Sequence, residues 1–172
     1  MLSLVEPRQR LAQLYADYAQ LVAWFASRLL TRPEEIEDVV QEVFLIAASN
    51  LRNLTDPPKI RGWLKTVTVR RVGRRLRRAK LRARLGIGPV KVETVEHLVA
   101  APQASPEDRA ALRELLEALA KLPVQLRIAW TLRYMHGESL EAVAEIAGCS
   151  LATAKRRILA AQQRIQGEFG YD

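Results

Sequence analysis

The stretch that decides the fold is Ser139–Ile165, SLEAVAEIAGCSLATAKRRILAAQQRI. Leu140, Val143, Ala144 and Ala147 fall at three- and four-residue steps, the spacing of one helix face, and stop at Gly148-Cys149. Ser150 is placed to cap a second helix whose apolar positions are Leu151, Ala154, Ile158 and Ala161. A short helix, a Gly-opened turn and a second helix with Lys155, Arg156 and Arg157 near its start form a helix-turn-helix pattern. Ala144 and Gly148 let the two helices cross closely, so the second can enter a major groove with its early side chains on bases and phosphates. Cys149 reads as a small turn residue, with nothing around it to make a reactive thiolate.

Upstream of this motif the chain remains helical. Pro123 ends an amphipathic stripe of Leu112, Leu115, Leu116, Leu119 and Leu122, which starts at Ser105-Pro106-Glu107-Asp108 with an N-cap, a first-turn proline and first-turn acids. Another helix is expected through Leu126, Ile128, Ala129, Leu132 and Met135 to Gly137. Residues Leu85–Ser105 contain Gly86, Gly88, Pro89 and Pro102 and show no helical period. A segment of that length without structure is uncommon inside a compact domain, so it reads as a linker.

The first part of the chain repeats the all-helical pattern. Leu11, Leu14, Tyr15, Tyr18, Leu21, Val22, Phe25 and Leu29 mark a first helix to about Arg28. Thr31 with Glu34 suggests a capping box for a second, and Pro33 suits its first turn. That helix would bury Ile36, Val39, Val40, Val43, Phe44 and Ala47, while Glu34, Glu35, Glu37, Asp38, Gln41 and Glu42 make its early exposed side acidic. Breakers between Leu51 and Lys59 predict a loop, and a third helix is expected from near Ile60 with Trp63, Leu64 and Val67 on one stripe. Continued at 3.6 residues per turn, that stripe meets Arg71, Arg74, Arg75 and Arg78. Arginines cannot extend a dry core unpaired, so the helix is expected to leave the core beyond about Arg70.

Composition bounds what such a chain can do. Of 27 Lys and Arg, twelve lie between Lys59 and Arg84, where no acid occurs; the rest of the chain, with all 19 Asp and Glu, nets −4. The overall +8 is therefore one basic block, a footprint for a polyanion, although a solvated basic face would show the same composition. The block lacks the sustained apolar face of an interfacial helix. A single Cys excludes an internal disulfide and a CxxC site, and two His 39 residues apart offer no metal pair. No metal or other cofactor is expected. The longest stretches free of charge are ten residues, Tyr18–Ser27 and His97–Pro106, so no membrane insertion is expected. Met1–Arg10 already holds Glu6, Arg8 and Arg10, unlike a secretory leader, which points to a cytoplasmic protein. A nuclease or recombinase would need converging carboxylates for metal-dependent phosphoryl transfer, or a nucleophile with activating groups, and neither constellation occurs. The chain is expected not to be an enzyme.

The order of these segments resembles the extracytoplasmic-function (ECF) sigma factors. Glu37-Asp38-Val39-Val40-Gln41-Glu42-Val43-Phe44 and then Trp63-Leu64, Thr66-Val67 and the Arg run are similar to the family's region 2. Leu122-Pro123, Leu132-Arg133-Tyr134, Gly137, Ser139-Leu140-Glu141, Ala144-Glu145-Ile146-Ala147 and Ser150, Thr153, Lys155, Arg157 are similar to its region 4. The likeness spans about residues 8–80 and 107–168.

The resemblance implies an all-α protein of two small helical domains, 1–80 and 106–172, joined by a flexible linker, 81–105, with the helix-turn-helix in the second. It implies a sigma factor that binds bacterial core RNA polymerase and directs initiation at promoters. Core polymerase would be held by Glu35, Asp38, Gln41 and Glu42. The opened −10 element would be met by Asn53, Lys59, Trp63, Thr66, Val67, Arg70, Arg71 and Arg74, with the loop 53–59 taking an unstacked base. The duplex −35 element would be met by Ser150, Thr153, Lys155, Arg156, Arg157 and Leu159. An anti-sigma factor is the implied regulatory partner. On its own residue type, Trp63 reads first as a packing residue, and Asp38 and Glu42 as solvated helix charges. The chain departs from the family pattern with Arg70 for Asn, Arg74 for Asp, Ala48 for an aromatic residue, Arg156 for Ser and Ala160 for Arg. These positions bear on promoter sequence and leave Asp38, Gln41 and Glu42 untouched. The alternative is a stand-alone helix-turn-helix regulator acting without polymerase.

Overall fold

The computed structural model describes residues 5–30, 32–86 and 105–169. Among these the chain is helical throughout: α1 Val5–Ser27, α2 Pro33–Asn50, α3 Pro57–Arg84, α4 Pro106–Lys121, α5 Val124–Trp130, a π-helical turn Thr131–Met135, α6 Leu140–Ala147 and α7 Leu151–Phe169. Two compact units are formed, Met1–Val72 and Gly73–Asp172, and the boundary falls inside α3.

In the first unit α1 packs on α2, and their facing positions make the core: Leu14, Val22, Phe25, Ala26 and Leu29 with Val39, Val40, Val43, Phe44 and Ala47. Thr31, expected to cap α2, lies outside the described residues. The N-cap is Arg32, whose side chain makes no capping bond, with Pro33 following and Glu34 and Glu35 against the positive end of the helix. The loop after α2 is shorter than its breakers suggested. Pro57, Pro58 and Lys59 are the first turn of α3 rather than loop, closed by Ile60 N donating to Asp56 O at 2.8 Å. Proline lacks an N–H that the first turn would leave unpaired in any case, so Pro-Pro opens this helix instead of blocking it.

The buried stripe of α3 also differs from expectation. It runs Ile60, Leu64, Thr68, Val69, Val72, and it leaves Trp63 and Val67 only half-buried. The core therefore extends past Arg70 to Val72, because Thr68 and Val69, not Val67, continue it. Thr68 tolerates full burial by donating its hydroxyl to Leu64 O at 2.7 Å. Beyond Gly73 the helix continues without interruption to Arg84, which includes the first residues of the expected linker 81–105. Residues 87–104 of that segment lie outside those described.

In the second unit α4 starts as expected. Ser105 Oγ accepts from Asp108 N at 3.1 Å while the Asp108 carboxylate accepts from Ser105 N at 3.2 Å, a reciprocal capping box. Leu116, Leu119 and Leu122 pack with Trp130, Ala161 and Ile165. Trp130 keeps its indole N–H bonded to Gln162 Oε1 at 2.8 Å. Arg127 is buried, and desolvation pulls its guanidinium below its ordinary value to about 10, so it stays charged at neutral pH. The single helix expected through Met135 widens after Trp130 into a π turn, with His136 N donating to Thr131 O at 3.1 Å, before Gly137 at φ +68° reverses the chain.

Candidate nucleic-acid interface

The helix-turn-helix is built by local bonds that its sequence dictates. Ser139 Oγ accepts from Ala142 N at 3.1 Å and starts α6. Gly148, at φ +63°, ends it in the left-handed region. Gly148 N then reaches Glu145 O at 3.1 Å and Cys149 N reaches Ala144 O at 2.9 Å, the paired bonds of a Schellman turn. Ser150 Oγ accepts from Thr153 N at 3.2 Å and bonds the Thr153 hydroxyl at 2.9 Å, so α7 starts one residue later. Ser150 and Thr153, two of the residues expected on duplex DNA, thus spend these polar atoms on the cap.

α7 buries Ala154, Ile158, Ala161 and Ile165 and turns Leu151, Ala152, Lys155, Arg156 and Leu159 to solvent. Lys155, Arg156 and Leu159 therefore share one open face. Arg157 stands on the flank, half-exposed, its Nη2 donating to Gln125 Oε1 at 2.8 Å. It braces α7 against α5. A helix of about 10–12 Å diameter with its cations on the open side fits the major groove.

Helices α3 and α2 present two more faces. On α3, Lys59, Trp63, Thr66, Val67, Arg70 and Arg74 recur at helical spacing along one side, over about 22 Å. Lys59, Arg70 and Arg74 are exposed, and Trp63, Thr66 and Val67 are half-buried. Thr66 Oγ1 bonds its own helix at Gly62 O, 3.0 Å away, and Lys59 Nζ lies 3.4 Å from Asp56. Asn53 is exposed in the preceding turn. That turn is held by Leu54, which is buried, and by Arg10 of α1, whose Nη2 donates to Leu51 O at 3.1 Å. Arg71 departs from the expected set: it is half-buried, and its Nη1 lies 3.7 Å from Glu42 of α2.

On α2 the four expected polymerase-binding residues divide. Asp38 and Gln41 lie on the exposed side, whereas Glu35 and Glu42 are half-buried. Leu45, 70% exposed, continues the Asp38–Gln41 stripe at the next turn. Periodicity could have flagged it, since Leu45 falls outside the buried Val43, Phe44 and Ala47 positions. Leu151 on α7 and Arg10 on α1 are the other residues that sequence reading left without a part in these faces.

Among the described residues no group of three or more His, Cys, Asp or Glu could hold a metal ion. No helix among them is long and apolar enough to cross a membrane. A shallow depression between α4 and α7, lined by Ala118, Lys121, Leu122, Arg164, Gly167 and Glu168, lies beside the Lys121–Glu168 ion pair, which raises the Lys121 pKa.

Known proteins share both halves of this arrangement. Residues 14–82 match sigma-70 region 2, and residues 112–165 match sigma-70 region 4. The ECF RNA polymerase sigma-E factor of Haemophilus influenzae is 28% identical over 162 residues, covering 91% of this chain and 85% of that protein. The RNA polymerase sigma factor SigV of Bacillus subtilis is 29% identical over 142 residues, covering 83% and 80%. The sigma factor RpoE of Bartonella quintana, solved with the anti-sigma factor NepR, has a TM-score of 0.68 at 23% identity and covers 94% of this chain and 97% of its own. At that identity the likeness is one of fold.

Proposed function

The chain belongs to the sigma-70 family, in its ECF class, as a sigma factor directing promoter-specific transcription; from this premise we propose how its faces divide the work. Asp38 and Gln41, with Glu35 and Glu42 beside them, dock on core RNA polymerase. Lys59, Trp63, Thr66, Val67, Arg70 and Arg74 line the −10 strand, with Asn53 in the anchored turn at the mouth of that face. Lys155, Arg156 and Leu159 enter the major groove at the −35 element. Arg71, Arg157, Ser150 and Thr153 hold these faces in shape.

The chain does no bond-making of its own in this reading. Core polymerase supplies the chemistry, and this subunit supplies position and sequence choice, in the cytoplasm where that enzyme works. A base extruded from the −10 duplex costs a few kcal/mol, which stacking on an aromatic side chain such as Trp63 offsets by about 1–3 kcal/mol. We take the two domains as 1–80 and 106–172 joined by 81–105, of which α3 supplies the first turn, although the compact units divide earlier in α3, between Val72 and Gly73. RpoE of Bartonella quintana, which shares this fold, was solved with the anti-sigma factor NepR bound, and a partner of that kind that covers the polymerase-docking face would control this one.

The observation that carries the reading is the exposed Asp38–Gln41 stripe of α2, in a chain whose α3 turns Lys59 and Arg70 to solvent. A regulator that binds an operator alone has no use for an acidic face beside its DNA-binding helix. Reconstituted transcription tests it. Purified core polymerase plus this chain yields a discrete transcript from the cognate promoter, and Asp38→Ala with Gln41→Ala abolishes it. Discrete transcripts that persist with both substitutions would sink the assignment of that face.

A further inference from the structure

The open face of α7 mixes apolar and basic side chains. Leu159 is 59% exposed and Leu151 is 38% exposed, between them stand Lys155 and Arg156, and all four face solvent. In the same unit Leu116, Leu119, Leu122 and Leu132 are buried. A lone exposed leucine is ordinary. Here two of them flank the exposed cations of the helix that the −35 reading places in the groove. Eight residues separate them, about 12 Å along the axis, or three to four base-pair steps.

What such a leucine can meet in a major groove is limited. Guanine N7 and O6, adenine N7 and N6 and cytosine N4 all require a polar partner. An alkyl group pressed against them removes their water and returns nothing. The apolar group that a base pair exposes there is the C5-methyl of thymine. We propose that Leu159 reads a thymine methyl within the −35 element, with Leu151 as a second apolar contact at the other end of the face. Lys155 and Arg156, between them, serve guanine edges or phosphates. The inference rests on the assignment of α7 to the −35 duplex, and it adds a base preference: an A·T pair opposite residue 159.

Deoxyuridine, which lacks only the methyl, tests this. The full chain is assembled with core polymerase on a promoter selected from random DNA, and each thymine of the −35 element, on either strand, is replaced in turn. One replacement should weaken binding about fourfold, the value of one buried methyl group. With Leu159→Ala that replacement should make no further difference, whereas Leu159→Met, which keeps an apolar tip, should retain the sensitivity. Arg156→Gln should weaken binding to both DNAs equally. The proposal is overturned if no thymine replacement matters, if the loss persists in Leu159→Ala, or if the selected element has no A·T pair. Failure of the underlying assignment looks different: the unaltered holoenzyme would then bind a promoter with a scrambled −35 element as well as the intact one. Thermal melting of Leu159→Ala should match the unaltered chain, as residue 159 lies outside the core.

Discussion

Arg71 of α3 stands 3.7 Å from Glu42 of α2, tying the second residue of the Arg70-Arg71 step to the helix that carries the acidic face. Both side chains are partly exposed, at 33% and 41%, so the pair stabilises by no more than about 0.5–1 kcal/mol. Its consequence is for aim: an arginine engaged with a carboxylate is a poorer phosphate ligand than an exposed one.

Arg74, exposed on the same helix, should therefore matter more to DNA than Arg71. Arg74→Gln in the holoenzyme should flatten the dependence of log K on log salt by about 0.7–0.9, the loss of one phosphate contact. Arg71→Gln should change that slope by less than half as much. Promoter-binding titrations between low and moderate salt measure both, and equal slopes for the two variants would place Arg71 on the DNA.

Trp63 and Leu64 are neighbours with different duties. Leu64 is fully buried, and Leu64→Ala should cost about 2–5 kcal/mol of stability. Trp63 is half-buried on the side proposed for the −10 strand, so Trp63→Ala should cost less stability and still slow promoter opening about tenfold, the loss of one base–aromatic stack. Chemical denaturation and the reactivity of −10 thymines toward permanganate separate the two effects. An opening defect that only tracks the loss of stability would return Trp63 to a packing role.

The turn between α6 and α7 offers a conformational test. A Cβ on Gly148 would meet nothing within 4 Å, so Gly148→Ala is penalised by its φ of +63° alone, by roughly 1–2 kcal/mol. Ser150→Ala, which removes the cap of α7, should cost about 1 kcal/mol. Both should lower the melting temperature and leave the sequence of the preferred −35 element unchanged. A changed preference would show that the turn itself contacts bases.

Most of the fold was legible because its helices are bounded by residues whose chemistry is local. Ser105 and Ser150 cap the helices that follow them and Gly148 ends α6, as their sequence neighbourhoods predict, and Ser139 caps α6 in the same local way. What was not legible depends on tertiary packing. Trp63 and Val67 fit the spacing of a buried stripe as well as Thr68 and Val69 do. Only their burial in the folded chain selects the latter, and a threonine is an unexpected core residue until its hydroxyl is seen bonded to Leu64. Pro57-Pro58 signals a break in sequence and a helix start in structure, since proline is compatible with both. Among the candidate site residues Lys155, Arg156, Asp38 and Gln41 lie exposed, whereas Arg71 and Arg157 pair with Glu42 and Gln125, partners far from them in sequence.

In the proposed function this chain divides its charge between two partners, polymerase on an acidic face and promoter DNA on basic ones. Binding of a cognate promoter duplex, followed by fluorescence anisotropy with the chain alone, with core polymerase alone and with both together, tests it most directly. Site-specific binding is expected only with both, and it is lost when Asp38 and Gln41 are replaced by alanine. Tight, sequence-specific binding by the chain alone, unchanged when core polymerase is added, would contradict it.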